Sequence, residues 1–442
     1  MPSPTIALRE STAVWGRIGL LSFGGPAGQI ALMHRELVDD RKWIDEGSFL
    51  HALNYCMLLP GPEAQQLATY IGWRLNGVAG GLIAGTLFIL PGFIAILALS
   101  VLYVTLGMLP WVEAIFFGLR AAVIALIAQA LLRMGSRLVG NSALAAIAIL
   151  AFIAIFVFAA PFPLVILGAA LTGYFGSRAG STAFAKSIGH ANGSPVAETL
   201  PHPSTRGALI TGLIFVALWL LPVALIAILL GPDHVFTHLV TFFSKLAVVT
   251  FGGAYAVLAW VAQAAVDQFG WLKPGEMLDG MGLAETTPGP LILVLQFVGF
   301  LAAYRDPGML HPLLAGSIGA TLTVWVTFMP CFAWIFLGAP WSERLRANRA
   351  LSAALTAVTA AVVGVIANLA LWFALHSLFA EHQPSNLPGT AFEWPVLASA
   401  DWPAILLSLA ALVAALRFRA GLLLLLGGSA VAGLLLGFAG LA

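Results

Sequence analysis

The chain has 442 residues, of which 60% are hydrophobic and 9% charged, with a mean hydropathy of +0.97 and a formal net charge of +1. That composition excludes an ordinary soluble domain, and successive apolar runs of roughly 20 residues favour membrane-crossing helices over the short alternating strands of an outer-membrane barrel. Charge this evenly balanced marks no nucleic-acid partner, and two cysteines far apart in sequence, Cys56 and Cys331, mark neither a disulfide framework nor a metal cluster. The expected class is an all-α polytopic membrane protein.

Met1 to Glu10 is polar, and the first apolar run carries Arg17 without a small-residue cleavage pattern. It is therefore expected to insert and stay rather than to be removed as a signal. Ser11 to Leu37 is interrupted at Phe23-Gly24-Gly25-Pro26, Arg35 to Glu46 reads as a charged connector, and Gly47 to Leu59 and Glu63 to Arg74 are half-length apolar helices around Pro60-Gly61-Pro62. Helix breakers inside an apolar segment survive in a membrane only where the freed backbone is buried in protein or lines a cavity. Longer runs follow at Gly77 to Leu106, Pro110 to Leu132, Ser142 to Ala160 and Phe162 to Phe175. The polar stretch 178–206 reads as a linker, and 207–231 as a solitary connecting span. Then the pattern restarts at Phe236, continuing through Pro312 to Leu337, Leu351 to Leu375, Trp402 to Leu416 and Ala420 to Leu441, with an extramembrane loop at Ser377 to Ala400.

The restart is a duplication. Phe23 and Phe251, Trp43 and Trp271, and Pro60 and Pro288 are each 228 positions apart, so Phe251-Gly252-Gly253 and Pro288-Gly289-Pro290 repeat the first two motifs without a gap. Further on the offset is 239, pairing Pro91 with Pro330. The expected organisation is a repeat over 1–177, a cytoplasmic linker over 178–206, a connecting helix over 207–231 and a second repeat over 232–442. Each repeat has six elements, about 13 hydrophobic elements in all, with the FGG and PGP segments interrupted or re-entrant. Six elements return the chain to its starting side and the solitary span flips the second copy, so the repeats are expected to be inverted. The distribution of Lys and Arg places the N-terminus in the cytoplasm and the C-terminus outside, whether the interrupted segments span or re-enter.

Three basic residues lie within apolar segments: Arg17, Arg120 and Lys245. Arg17 and Lys245 are equivalent by the 228 offset, six residues before each FGG, and intramembrane cations usually face a cavity or a partner. Snorkelling to the interface is the bland alternative; for Arg120 a structural ion pair and a substrate contact stand equally open. Helices starting at Pro26 or Pro62 would aim free N–H groups and a positive dipole end inward, which suits an anion. Inverted repeats would bring four such ends together. Glu63, directly after Pro62, and Glu285, three before Pro288, are the candidate proton carriers, and Gln65, Gln296 and Thr287 are neutral neighbours able to hydrogen-bond a substrate. His234 and His238, near Asp233, have i, i+4 spacing but no third ligand, so no metal and no cofactor is expected. Phosphate-binding loops and nucleophile elbows are missing from the sequence, which argues against an ATP-driven pump. The alternative of another class, a membrane-embedded enzyme on a lipid-linked substrate with Glu63 and a histidine as acid and base, is disfavoured because His51 and the other histidines have no repeat partner or paired spacing near the breaks.

Leu20-Leu-Ser-Phe-Gly-Gly-Pro-Ala, Arg41-Lys-Trp-Ile, Leu59-Pro-Gly-Pro-Glu-Ala-Gln-Gln-Leu-Ala and Thr287-Pro-Gly-Pro together resemble the chromate ion transporter family in its long, two-domain form. The resemblance implies efflux of chromate from bacterial cytoplasm driven by the proton motive force, with sulfate as the related anion and with pairing of halves that leaves room for a homodimer. Ala254 stands where Pro26 is, and Leu291 where Glu63 is, so the two copies of the site are not equal.

Overall fold

A computed structural model describes residues 6–107, 109–184, 205–251, 254–338, 348–385, 390 and 392–441. The first half opens with α1 (Leu8–Leu21), α2 (Gly25–His34) and α3 (Glu46–Cys56). It continues with α4 (Glu63–Leu106), α5 (Pro110–Gly135), α6 (Ser142–Phe156) and α7 (Phe162–Arg178). α8 (Thr205–Leu230) stands alone, and the second half follows as α9 (Val235–Val249), α10 (Ala254–Gln263), α11 (Pro274–Thr286) and α12 (Val294–Arg305). α13 (Pro312–Gly338), α14 (Arg349–Leu378), α15 (Trp402–Leu416) and α16 (Leu422–Phe438) complete it. Among the described residues, five helices are long and apolar enough to cross a membrane: α4, α5, α8, α13 and α14. On α8 the bulky side chains Leu221, Ile228 and Leu229 are exposed, as expected of a helix in contact with lipid.

Local chemistry sets the boundaries. Asp45 caps α3 by accepting from the Ser48 N–H at 2.9 Å, and prolines open α2 and α5, where a missing N–H costs nothing. α4 is broken at Asn76 and Gly77, the glycine at φ 64, so its two arms are separate helices. Asn141 caps α6 through the Leu144 N–H, and Asp401 caps α15 through the Ala404 N–H. α6 and α15 have 15 residues each, and α7 and α16 have 17 each. These two helix pairs thus match in order and length, and α6 and α15 also in being capped by an Asn or Asp side chain.

Three features depart from the sequence expectation. The charged connector is helical as far as Asp40, because α2 widens into a π-helical turn at Arg35–Asp40, and α10 does the same at Ala264–Gln268. The loop after α14 carries a short antiparallel hairpin, β1 (His382–Pro384) with β2 (Glu393–Pro395), in an otherwise helical chain. Part of the stretch expected as linker, Thr182–Phe184, forms a 3-10 turn with Phe184 buried; residues 185–204 of it lie outside the described residues.

The chain forms two compact units. The first comprises Met1–Ala98, Gly189–Ala254 and Thr287–Ser352, the second Leu99–Ile188, Tyr255–Thr286 and Ala353–Ala442, so each draws on both sequence halves. In the first unit α13 packs against α8, α9 and α12. A Cβ on Gly319 would stand 2.4 Å from the Gly299 carbonyl oxygen, so only glycine permits the α12–α13 approach; Gly80 and Gly72 repeat the arrangement between the arms of α4. In the second unit α5 packs against α11, α15 and α16, with Gly118 and Gly433 at the α5–α16 crossing.

Candidate functional site

All four motifs lie in the first unit. α1 ends at Ser22 and α9 at Thr250, immediately before the two FGG sequences. The last carbonyls of a helix lack intrahelical partners, and here each is met by a PGP glycine of the other copy. The Gly61 N–H donates to the Thr250 carbonyl at 2.8 Å, and the Gly289 N–H donates to the Ser22 carbonyl at 2.9 Å. Ser22 and Thr250, like Gly61 and Gly289, are 228 apart, so the two bonds are reciprocal. Both glycines have positive φ, 122 and 102 degrees, and both are hemmed in: Gly61 by Cys331 and Gln66, Gly289 by Leu293 and Gly92.

Around this cross-link is a cleft lined by Pro26, Gln29, Pro62, Glu63, Ala64, Ala254, Pro290, Leu291 and Ile292. It is partly open to the outside. Pro26 begins α2, Glu63 and Ala64 begin α4, Ala254 begins α10, and Leu291 and Ile292 begin the 3-10 turn that leads into α12. The first residues of α2, α4, α10 and the 3-10 turn before α12 thus line one space. First-turn N–H groups have no intrahelical acceptor and carry the positive end of the macrodipole, so their convergence favours an anion. Gln29 is fixed there: its Nε2 donates to the Gly289 carbonyl at 2.6 Å and more weakly to Ser22 at 3.4 Å. Its Oε1 is buried and finds no hydrogen-bond partner among the described residues.

The expected site residues divide as follows. Pro62, Glu63 and Pro290 line the cleft; Pro60, Gly61, Pro288 and Gly289 are not in its lining but adjoin those residues in the chain, the Pro60 carbonyl accepting from Gln66 Nε2 at 2.7 Å. Gly24 and Gly25, at φ 86 and 68 degrees, make the turn into α2, with Phe23 partly exposed beside them. Phe251 is half-buried; Gly252 and Gly253 lie outside the described residues. Gln65 is buried and donates to Thr69 Oγ1, Gln296 is buried and donates to the Phe93 carbonyl, and Thr287 is buried.

The basic residues are elsewhere. Neither Arg17 nor Lys245 is in the cleft lining. The Arg17 side chain is 58% exposed, with Nε 3.4 Å from the buried Glu36 carboxylate, which also pairs with Arg41; Lys245 is exposed. Beyond that pair, in the connector, His34 lies 2.5 Å from Glu46 and 3.3 Å from Asp39, and the Glu46 hydrogen bond raises its pKa above the ordinary histidine value. In the second unit Arg120 donates to both oxygens of the fully buried Asp279, at 2.7 and 2.9 Å, and Tyr103 donates to the same carboxylate at 2.9 Å. Of the two readings open for Arg120, the geometry supplies the ion pair. Glu285, also in the second unit, is buried and accepts from the Tyr255 hydroxyl at 2.6 Å.

Gln29, Glu36 and Asp279 were not singled out from sequence. For Gln29 the available signal was a lone amide one turn beyond Pro26, matched by an apolar Val257 in the second copy.

A polytopic helical chain with duplicated, broken helices converging on a cleft defines an integral membrane transporter rather than an enzyme. The sequence model described as "Chromate transporter" matches residues 10–174 and 237–434, and the chain belongs to that family. It is 33% identical over 391 residues to a chromate transport protein of Pseudomonas aeruginosa, covering 87% of this chain and 85% of that one. A chromate transport protein of Cupriavidus metallidurans is 29% identical over 377 residues, 85% of each chain. An uncharacterized transporter of Bacillus subtilis is 40% identical over 91 residues, 21% of this chain and 46% of that one. No solved structure matches the chain.

Proposed function

We propose that the chain exports chromate from the cytoplasm across the inner membrane, as a secondary transporter coupled to the proton motive force, and so confers chromate resistance. The observation that carries this reading is the convergence of four helix starts on one cleft, cross-linked by the reciprocal Gly61 and Gly289 hydrogen bonds. A tetrahedral dianion is bound there by backbone N–H groups. Arg17 and Lys245, outside the lining, steer the anion toward the cleft. Reciprocal contacts are what a local two-fold axis produces, and an odd connecting helix, α8, favours an axis in the membrane plane. This supports inverted repeats, a cytoplasmic N-terminus and an external C-terminus.

Energetically, one charge crossing 100 mV is worth ~2.3 kcal/mol. An inside-negative potential therefore already drives a dianion outward by about twice that. Proton coupling adds to this drive and is assigned to Glu63, the cleft's carboxylate, which has Leu291 as its counterpart.

The test is chromate flux in vesicles containing the purified protein, at clamped voltage, with and without a pH gradient. The expected result is a flux that the gradient accelerates in the unsubstituted protein and leaves unchanged in Glu63→Gln. Insensitivity of the unsubstituted protein to the gradient would remove the coupling, and flux no greater than in empty vesicles would remove the transport reading. Sulfate moved in preference to chromate in the same vesicles would make sulfate the cargo.

A further inference from the structure

Outside the cleft, the second unit holds a cluster of metal-ligating side chains that the transport reading does not use. His376 lies in the last turn of α14, and His382 and Glu393 lie on the facing strands of the hairpin that follows. Pro384 is opposite Glu393, so His382 and Glu393 are diagonal neighbours on one face of the ribbon. One ligand atom from each of the three lies within 4.8 Å of the other two.

The two imidazoles are prepared differently, and both preparations suit a metal. His376 donates its Nδ1–H to the Trp372 carbonyl at 2.9 Å, which fixes the tautomer and leaves the Nε2 lone pair outward, the arrangement that ligating histidines usually have. Its ring is sandwiched, with Trp372 at 4.3 Å on one contact and His382 at 4.5 Å on another. His382 Nε2 is buried and finds no hydrogen-bond partner among the described residues. A buried polar nitrogen left this way costs free energy unless a further group binds it. Stacking alone accounts for the parallel rings but not for the orphaned nitrogen or for a carboxylate at the same point.

We propose that His376, His382 and Glu393 bind one divalent transition-metal ion, with Zn²⁺ the best match to two imidazoles and a carboxylate and water in the fourth position. Ligands about 2.0–2.2 Å from a common ion are at most about 4.4 Å apart. In a tetrahedral site such ligands stand about 3.3–3.6 Å apart, so the three groups draw together and the two stacked rings turn out of parallel for both lone pairs to meet the ion. The ion ties the hairpin to the end of α14, in the longer of the two equivalent connections: residues 379–401 here, against 136–141 between α5 and α6.

The probe is Zn²⁺ itself, titrated into chelator-treated, detergent-solubilised full-length protein, with bound metal counted by elemental analysis. One Zn²⁺ per chain is expected, with affinity at least about tenfold weaker in His382→Gln and in Glu393→Gln, and unchanged in His234→Gln/His238→Gln. Equal affinity in all variants, or loss that follows His234 and His238 instead, overturns the assignment. Co²⁺ loaded into the unsubstituted protein gives a reading that needs no variant to fold. A four-coordinate spectrum supports the site, and a six-coordinate, aquo-like spectrum overturns it.

Discussion

At the scale of single residues, the cleft depends on two glycines whose backbone no other residue adopts without strain. Gly61 at φ 122 and Gly289 at φ 102 put their N–H groups onto the carbonyls that end α9 and α1. In Gly61→Ala the new Cβ stands 2.8 Å from Cys331 Sγ and 2.9 Å from Gln66 Nε2, and in Gly289→Ala 3.1 Å from Leu293. Strain of this kind costs ~1–3 kcal/mol per residue. A freed helix-end carbonyl adds the penalty of an unsatisfied acceptor, about 1–3 kcal/mol. Both variants are expected to lower the thermal midpoint and to lose chromate binding, Gly61→Ala more severely because its neighbours are closer. Gly24→Ala separates the two effects, since a Cβ there meets nothing within 4 Å and only the positive φ is strained. A midpoint unchanged in Gly61→Ala, measured by thermal unfolding in detergent, would show that the cross-link does not hold the motifs.

Elements impose a different constraint: helices of the second unit are joined by a buried ion pair. Arg120 on α5 and Asp279 on α11 are 159 positions apart in sequence, yet the carboxylate accepts two guanidinium bonds and one from Tyr103. Removing one partner of such a pair leaves an uncompensated buried charge and costs ~3–5 kcal/mol. Asp279→Asn is therefore expected to destabilise the protein strongly, and Arg120→Met combined with Asp279→Leu to recover most of the loss. Unfolding midpoints for the two singles and the double check this as a mutant cycle; additive losses would mean that the pair is not coupled. The pair also shows where sequence reading stops. An isolated Arg120 in an apolar run announced a partner but not its identity, because an ion pair between distant helices has no spacing to betray it. Arg17 is similar: its partner Glu36 sits in the π-helical turn, and a regular helical register does not foresee that turn. By contrast the broken helices were legible, since glycine and proline fix backbone geometry locally and the offset of 228 paired the copies. Gln29 became visible only once the Gly289 carbonyl was beside it.

For the whole molecule, the open question of scale is which side each connection occupies, and the duplication turns it into one experiment. The connection after α5 and the one after α14 are equivalent by position in the two repeats, each ending in a capping side chain, Asn141 or Asp401. Inverted repeats place equivalent connections on opposite sides of the membrane, whereas repeats in parallel place them on the same side. Val139 is 83% exposed in the first connection and Leu397 is 78% exposed in the second, so a cysteine at either is open to a thiol reagent. The native Cys56 and Cys331 are free but buried, and give little background. With a membrane-impermeant maleimide applied to intact cells, Leu397→Cys is expected to label, and Val139→Cys only after permeabilisation. Basic residues concentrate with Val139, at Arg133 and Arg137, which is the side that positive charge marks as cytoplasmic. Labelling of both positions in intact cells, or of both only after permeabilisation, would make the repeats parallel. The local two-fold axis would then run along the membrane normal, and the four helix starts could no longer serve one cleft from opposite sides of the membrane.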